Sequence, residues 1–240
     1  MSTDQPTGAR RPRGSSREAR QRARSAPPVA PAYLTRRIPA YELLSEEGLV
    51  AIERHADQLL EEIGFEIRGD EEAIGLWRKA GANIVDDCRV HVPVGLTRAI
   101  IQRSALREFT QHARNPTRNV QIGGKHTVFA PAYGPPFVTD LERGRRYGTI
   151  KDFQNFVKLT YASPWLHHSG GTVCEPVDVP VNKRHFDMIY AHMRYSDKPF
   201  MGSVTTAARA ADSIEMCGVL FGAAFVADHC VILGNVNVNS

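Results

Sequence analysis

Apolar and polar positions along this chain fall into two successive rhythms. Leu49, Ile52, Ala56, Leu59, Leu60 and Ile63 recur at helical spacing between Ser45, a good N-cap, and Gly64, a good stop. Asp70 then caps EEAIGLWRKA, whose apolar anchors are Ile74, Leu76 and Trp77 and whose end is Gly81. A short strand is expected over Arg89–Val92, a third helix from about Gly95 to Ser104, and another strand over Glu108–Ala113.

Beyond Arg114 the rhythm becomes strands alternating with helices. The segment Arg114–Tyr147 holds an Asn-Pro turn, the pair Gly123-Gly124, the double proline Pro135-Pro136 and an acidic turn at Asp140–Glu142. It reads as strands of a few residues between explicit turns. Thr149 and Asp152 make a capping-box start to a helix with Ile150, Phe153, Phe156, Val157 and Tyr161 on one face, stopped by Pro164. Further helices are expected at about Lys183–Tyr195 and Ala207–Phe221, and strands near Val128, Leu166–Val173, Phe200–Val204 and Val231–Asn235. Such alternation implies parallel pairing with right-handed crossovers, in a doubly wound sheet or a (β/α)8 barrel. No GxGxxG follows the first strand, which argues against dinucleotide binding. Small and polar residues gather where strands end, at Ser169–Thr172, Ser203–Thr206 and Asn235–Ser240, and barrel enzymes build their sites at that rim.

Charge divides the chain differently. The net charge is +4, yet residues 1–37 hold nine arginines against Asp4 and Glu18, leaving 21 basic and 24 acidic groups in the other 203 residues. The basic character belongs to a tail too poor in apolar residues to offset the entropy of ordering, so disorder is expected over 1–31. That tail has no apolar core of a secretory signal, and no run approaches the ~18 apolar residues of a membrane span. Cys88, Cys174, Cys217 and Cys230 are scattered with no CxxC pair, as in a protein of the reducing cytoplasm.

In order along the chain stand EEIGFEI, KAGAN, RVHVP, ARNP, IGG, PAYGPPFVTDLERGRR and the terminal NVNVNS. This series, from about Leu34 onward, resembles the N-terminal half of the trimethylamine methyltransferase family, corrinoid-dependent enzymes that include glycine-betaine demethylases. The resemblance implies a (β/α)8 TIM-barrel fold with an N-terminal helical elaboration, of which about the first half is present here. It implies transfer of a methyl group from a methylated amine to the cobalt of a separate corrinoid protein, with no cofactor tightly bound to this chain. The trimethylamine branch carries pyrrolysine in the half that would follow. The expected organisation is a basic tail at 1–31, a helical region with short strands at 32–113, and a half barrel at 114–240.

Chemistry of this kind asks the protein to orient an N–CH3 bond and stabilise an ammonium, for which aromatic faces and oriented dipoles serve. Tyr133 on the PAYGPPF loop, His168, Ser203 and Asn235 near strand ends are the candidate substrate-binding residues; no catalytic residue is singled out. Phe137 reads more as packing, Trp165 as the bottom of the barrel, and Asp140 and Glu142 as turn formers. Metal binding is not expected, because strand alternation sends His167 and His168 to opposite sides and no pair has structural-zinc spacing. His185 and His192 share a helix face, where exposure or packing is expected. Two other readings stand beside the methyltransferase. One is a catalytically silent fragment or half of a split enzyme, self-associating or needing a C-terminal half, since half a barrel leaves strand edges unpaired. The other is an RNA-touching arginine arm, against which the acidic body weighs.

Overall fold

A computed structural model describes residues 30–39 and 41–236; the tail expectation and Asn237, Asn239 and Ser240 lie outside the described residues. The architecture is mixed α/β, and the chain divides into two compact units, one formed by Thr35–Phe109 with Gly123–Lys125, the other by the remainder.

In the smaller unit, α1 (Glu46–Glu62) starts where Ser45 accepts a bond from the Gly48 amide at 3.2 Å. Strands β1 (Phe65–Glu66), β2 (Asn83–Val85) and β3 (Arg89–His91) form an antiparallel sheet with β3 central. Helix α2 (Glu71–Ala80) packs on it, capped by Asp70 and ended by a left-handed Gly81. Asp86 and Asp87 turn β2 into β3 with positive φ, a conformation that aspartate tolerates better than most residues. Ile74, Ala82, Val90 and Val92 form the buried core, flanked by Leu60, Phe65, Trp77 and Leu96 of α3 (Leu96–Ser104). The expected apolar face of α1 is only partly used: Leu60 joins the core, while Leu49, Ile52, Leu59 and Ile63 stay largely exposed.

In the larger unit, strand β4 (Glu108–Gln111) contributes Thr110 and Gln111, and β5 (Val120–Gly123) contributes its first residues. Strand β6 (His126–Thr127) follows, then a hairpin of β7 (Phe137–Asp140) and β8 (Gly144–Tyr147). Asp140 Oδ1 accepts from the amides of Glu142 and Arg143, so the acidic turn is a hairpin turn, as expected. Arg146 then clamps Asp152 at 2.6 and 2.7 Å and Asp140 at 3.0 Å, locking the hairpin to the capping box of α4 (Ile150–Ala162). Helices α5 (Arg184–Tyr195), α6 (Ala207–Phe221) and α7 (Ala223–Asp228) complete the helical layer. Beneath them lie two apolar clusters, one around Phe153, Val157, Cys174 and Ala191, the other around Ile189, Phe200, Cys217 and Val231.

Between these helices, backbone bonds link four segments in chain order. The Phe129 carbonyl accepts from His167 and His168, Ser169 N–H reaches Pro199, Met201 N–H reaches Gly170, and Gly202 N–H reaches Leu233. Only the last pair forms regular strands, β9 (Phe200–Met201) parallel to β10 (Ile232–Leu233). The expected strand at Leu166–Val173 does not form, and those at Phe200–Val204 and Val231–Asn235 shrink to two residues each. Side chains take the donors a ladder would use: His167 Nδ1 accepts the Phe129 amide, His168 Nδ1 the Gly170 amide, and Ser213 Oγ the Ser203 amide. Among the described residues the sheets are small and no closed barrel is present.

Candidate functional site

The ends of these four segments enclose, with α5 and α6, a cavity of about 130 Å³. Tyr133, Ser203 and Asn235 all line it, so three of the four candidate side chains converge although 102 positions separate the first from the last. Tyr133 is placed by two glycines. A Cβ at Gly170, where φ is +89°, would meet Pro131 at 2.6 Å, and one at Gly171 would meet the Tyr133 ring at 2.7 Å. The loop is tied down where the Gly134 amide donates to Thr172 and the Glu175 amide to Pro135. Half of the Tyr133 surface remains exposed.

The fourth candidate, His168, is not on this lining. It is buried, its Nδ1 accepting from Gly170 and its Nε2–H donating to Gln111 Oε1 at 3.1 Å. Gln111 passes the bond on to the carbonyl of Phe200 at 2.8 Å. Burial, and then His192, press the His168 pKa down to about 3, so the ring is neutral at neutral pH. His167 stacks on Phe129, Trp165 is more than half exposed, and Phe137 lies under Arg145 and beside Tyr147.

The cavity also recruits residues that sequence reasoning had assigned to packing or left aside. His185 and His192, two turns apart on α5, are both buried and both line it. His192 Nε2–H donates to the Gly171 carbonyl at 2.8 Å, and its Nδ1 accepts from Ser169 Oγ at 2.7 Å. Burial lowers its pKa to about 4. His185 Nε2 meets Asp212 Oδ2 at 2.7 Å, while its Nδ1 is buried without a partner. Arg184 pairs with Glu175, and Arg209 donates to Thr205 Oγ1 and the Val181 carbonyl. The seven-residue spacing of the two histidines was the one signal of their common face.

Neither buried cysteine lies on this lining. Cys174 and Cys217 lie in the apolar clusters, with burial pushing each thiol up to about 12, far from the reactive thiolate. Among the described residues no group of three or more His, Cys, Asp or Glu side chains is arranged to hold a metal ion, and no helix is long and apolar enough to cross a membrane.

A mixed α/β protein with a small aromatic, imidazole and guanidinium cavity fits a binding site for a small polar organic molecule. Residues 11–240 match the family described as Trimethylamine methyltransferase (MTTB), and the chain belongs to that family. Over 188 residues it is 44% identical to a glycine betaine methyltransferase of Desulfitobacterium hafniense (strain Y51), a stretch covering 77% of this chain and 38% of the relative.

Proposed function

We propose that this chain supplies the methylated-amine site of a corrinoid-dependent methyltransferase, its four linked segments being the first strands of a (β/α)8 barrel. Family membership over residues 11–240 carries this reading. The cavity supports it, since Tyr133 offers an aromatic face to an ammonium while Ser203 and Asn235 add polar contacts. The methyl acceptor is cobalt in a partner corrinoid protein; a corrin ring far exceeds a space of about 130 Å³, which suits an acceptor that meets the mouth of the cavity. The chain's own residues then hold the amine, align its N–CH3 bond and exclude water.

The test is methyl transfer from trimethylamine or glycine betaine to reduced cobalamin, followed by absorbance. Transfer by the chain, alone or after addition of the C-terminal portion of a relative, supports the reading. Failure in every combination overturns it. The exposed apolar residues of α1 favour a second arrangement, in which this chain works only when assembled with itself or a complementary half. Sedimentation as a lone monomer with full activity would exclude that arrangement.

A further inference from the structure

We propose that His185, held by Asp212, recognises the demethylated amine: its Nδ1 accepts the N–H bond that a quaternary nitrogen lacks and gains only after a methyl group has left. The proposal rests on the methylated-amine reading above and deepens it, giving a residue of the same cavity a role on the product side. The acidic and basic side chains on the lining are Glu175, Arg184, His185, His192 and Arg209, and Asp212 stands on α6 three residues beyond Arg209. Most are satisfied within the chain. Glu175 pairs with Arg184, and Arg209 donates to Thr205 Oγ1 and the Val181 carbonyl. His192 is bonded at both nitrogens, to Ser169 Oγ and to the Gly171 carbonyl. Of the two imidazoles on the lining, His185 keeps a nitrogen with no partner among the described residues.

Asp212 decides what that nitrogen offers. A carboxylate only accepts, so the 2.7 Å contact between Asp212 Oδ2 and His185 Nε2 places a ring proton on Nε2. In the neutral ring Nδ1 is then a lone pair, an acceptor. His185 is 4% exposed, so bulk water does not supply the donor, and an acceptor buried without one is costly until a ligand brings it. A quaternary ammonium has no N–H to bring. When a methyl group leaves such a nitrogen, the C–N electron pair stays on nitrogen and takes a proton from water. The ammonium so formed has the same charge and one N–H, a charge-assisted match for Nδ1. Holding that N–H keeps the nitrogen pair protonated, which works against return of the methyl group.

The experiment is calorimetric titration of the 240-residue chain and its variants at neutral pH with two probes of equal charge. Trimethylammonium carries one N–H and tetramethylammonium none. The wild type should bind trimethylammonium about tenfold or more tightly, the yield of a charge-assisted bond. His185→Phe keeps a flat ring without an acceptor; it should erase that preference and leave tetramethylammonium affinity in place. Asp212→Asn, whose amide can donate to Nε2 and let the ring carry its proton on Nδ1, should reduce the preference. Equal affinity for the two probes in the wild type, or an undiminished preference in His185→Phe, overturns the role of His185 and leaves the methylated-amine reading standing. Failure of the wild type to bind either probe overturns both. Should His185→Phe melt early and bind neither probe, Asp212→Asn decides: a folded variant with the full wild-type preference also overturns the role.

Discussion

A Cβ at residue 171 would stand 2.7 Å from Cε2 of Tyr133, so the second glycine of its pair is what allows the aromatic ring to lie against the cavity. The same Cβ would lie 3.0 Å from Met201 Cβ, which leaves the chain little room to adjust. Gly171→Ala should therefore displace the ring. We expect a several-fold loss of tetramethylammonium affinity and a stability loss of about 1–3 kcal/mol, the usual cost of overpacking. Titration and urea unfolding of the variant check this; unchanged affinity would show that the position of the ring is immaterial.

Replacing the ring itself separates its face from its hydroxyl. Tyr133→Phe should retain affinity for a quaternary ammonium, whereas Tyr133→Leu should lose about 0.5–2 kcal/mol of binding, the range of a cation–π contact. Parallel titrations of the two variants decide, and equal losses would point to the hydroxyl instead.

Acid should weaken the larger unit through two neutral histidines. In the folded chain His168 and His192 protonate only near 3 and 4, against 6.5 for an unperturbed ring. The unfolded state then binds more protons below 6.5, so their contribution is complete above that pH and drains away as pH falls toward 4 and 3. A tenfold difference in proton affinity between the folded and unfolded chain corresponds to about 1.4 kcal/mol, and because the two rings act on one another the acid sensitivity belongs to the pair. Urea midpoints measured from about pH 8 to about pH 4 should fall steeply for the wild type and less steeply for His192→Gln. An identical slope in the variant would assign the acid sensitivity elsewhere.

The Arg146–Asp152 clamp titrates in a lower window. Arg146, followed by the hydroxyl and amide of Thr149, holds the Asp152 carboxyl below its usual 3.8. Its folded pKa is depressed, so the stabilisation is full above 3.8 and is lost on further acidification. Asp152→Ala removes both the charge pair and the reciprocal cap, and should cost about 1–3 kcal/mol at neutral pH. The gap between wild type and variant, measured by urea unfolding, should narrow at about pH 3; a constant gap would mean that the cap alone matters.

In the smaller unit Gly64 combines a φ of +67° with close approach to the Val90 carbonyl. Gly64→Ala must strain the backbone and push β3 away, and a loss of about 2 kcal/mol or more is expected. A thermal melt that matches wild type would contradict this account.

The sequence was most legible where the chemistry is local. Ser45, Asp70 and Thr149 cap the helices they were expected to cap, because each bond runs to an amide three residues onward. Asp140 makes its turn for the same reason, and Ala207–Phe221 is helical over the expected span. Strands were less legible. Leu166–Val173 has the composition of a strand, but imidazoles and glycines consume its ladder, and nothing in local alternation reports a donor taken by a side chain. Asn83–Val85 escaped notice as the partner of β3, since three residues are too few to show a period.

For the site, the order of motifs along the chain pointed to the family, and the residues chosen as an aromatic on the PAYGPPF loop (Tyr133) and as polar groups near strand ends (Ser203 and Asn235) line one cavity. Position did not reveal that His168 would be held by Gln111, 57 residues away, or that Arg209 would face the same space as Tyr133. By itself the sequence determined caps, turns and helices, whose bonds close within a few residues of each other. The tertiary structure alone decided which polar groups are satisfied at long range and which, like His185 Nδ1, are buried without a partner. Satisfaction depends on what packs opposite, and packing partners are distant in the chain.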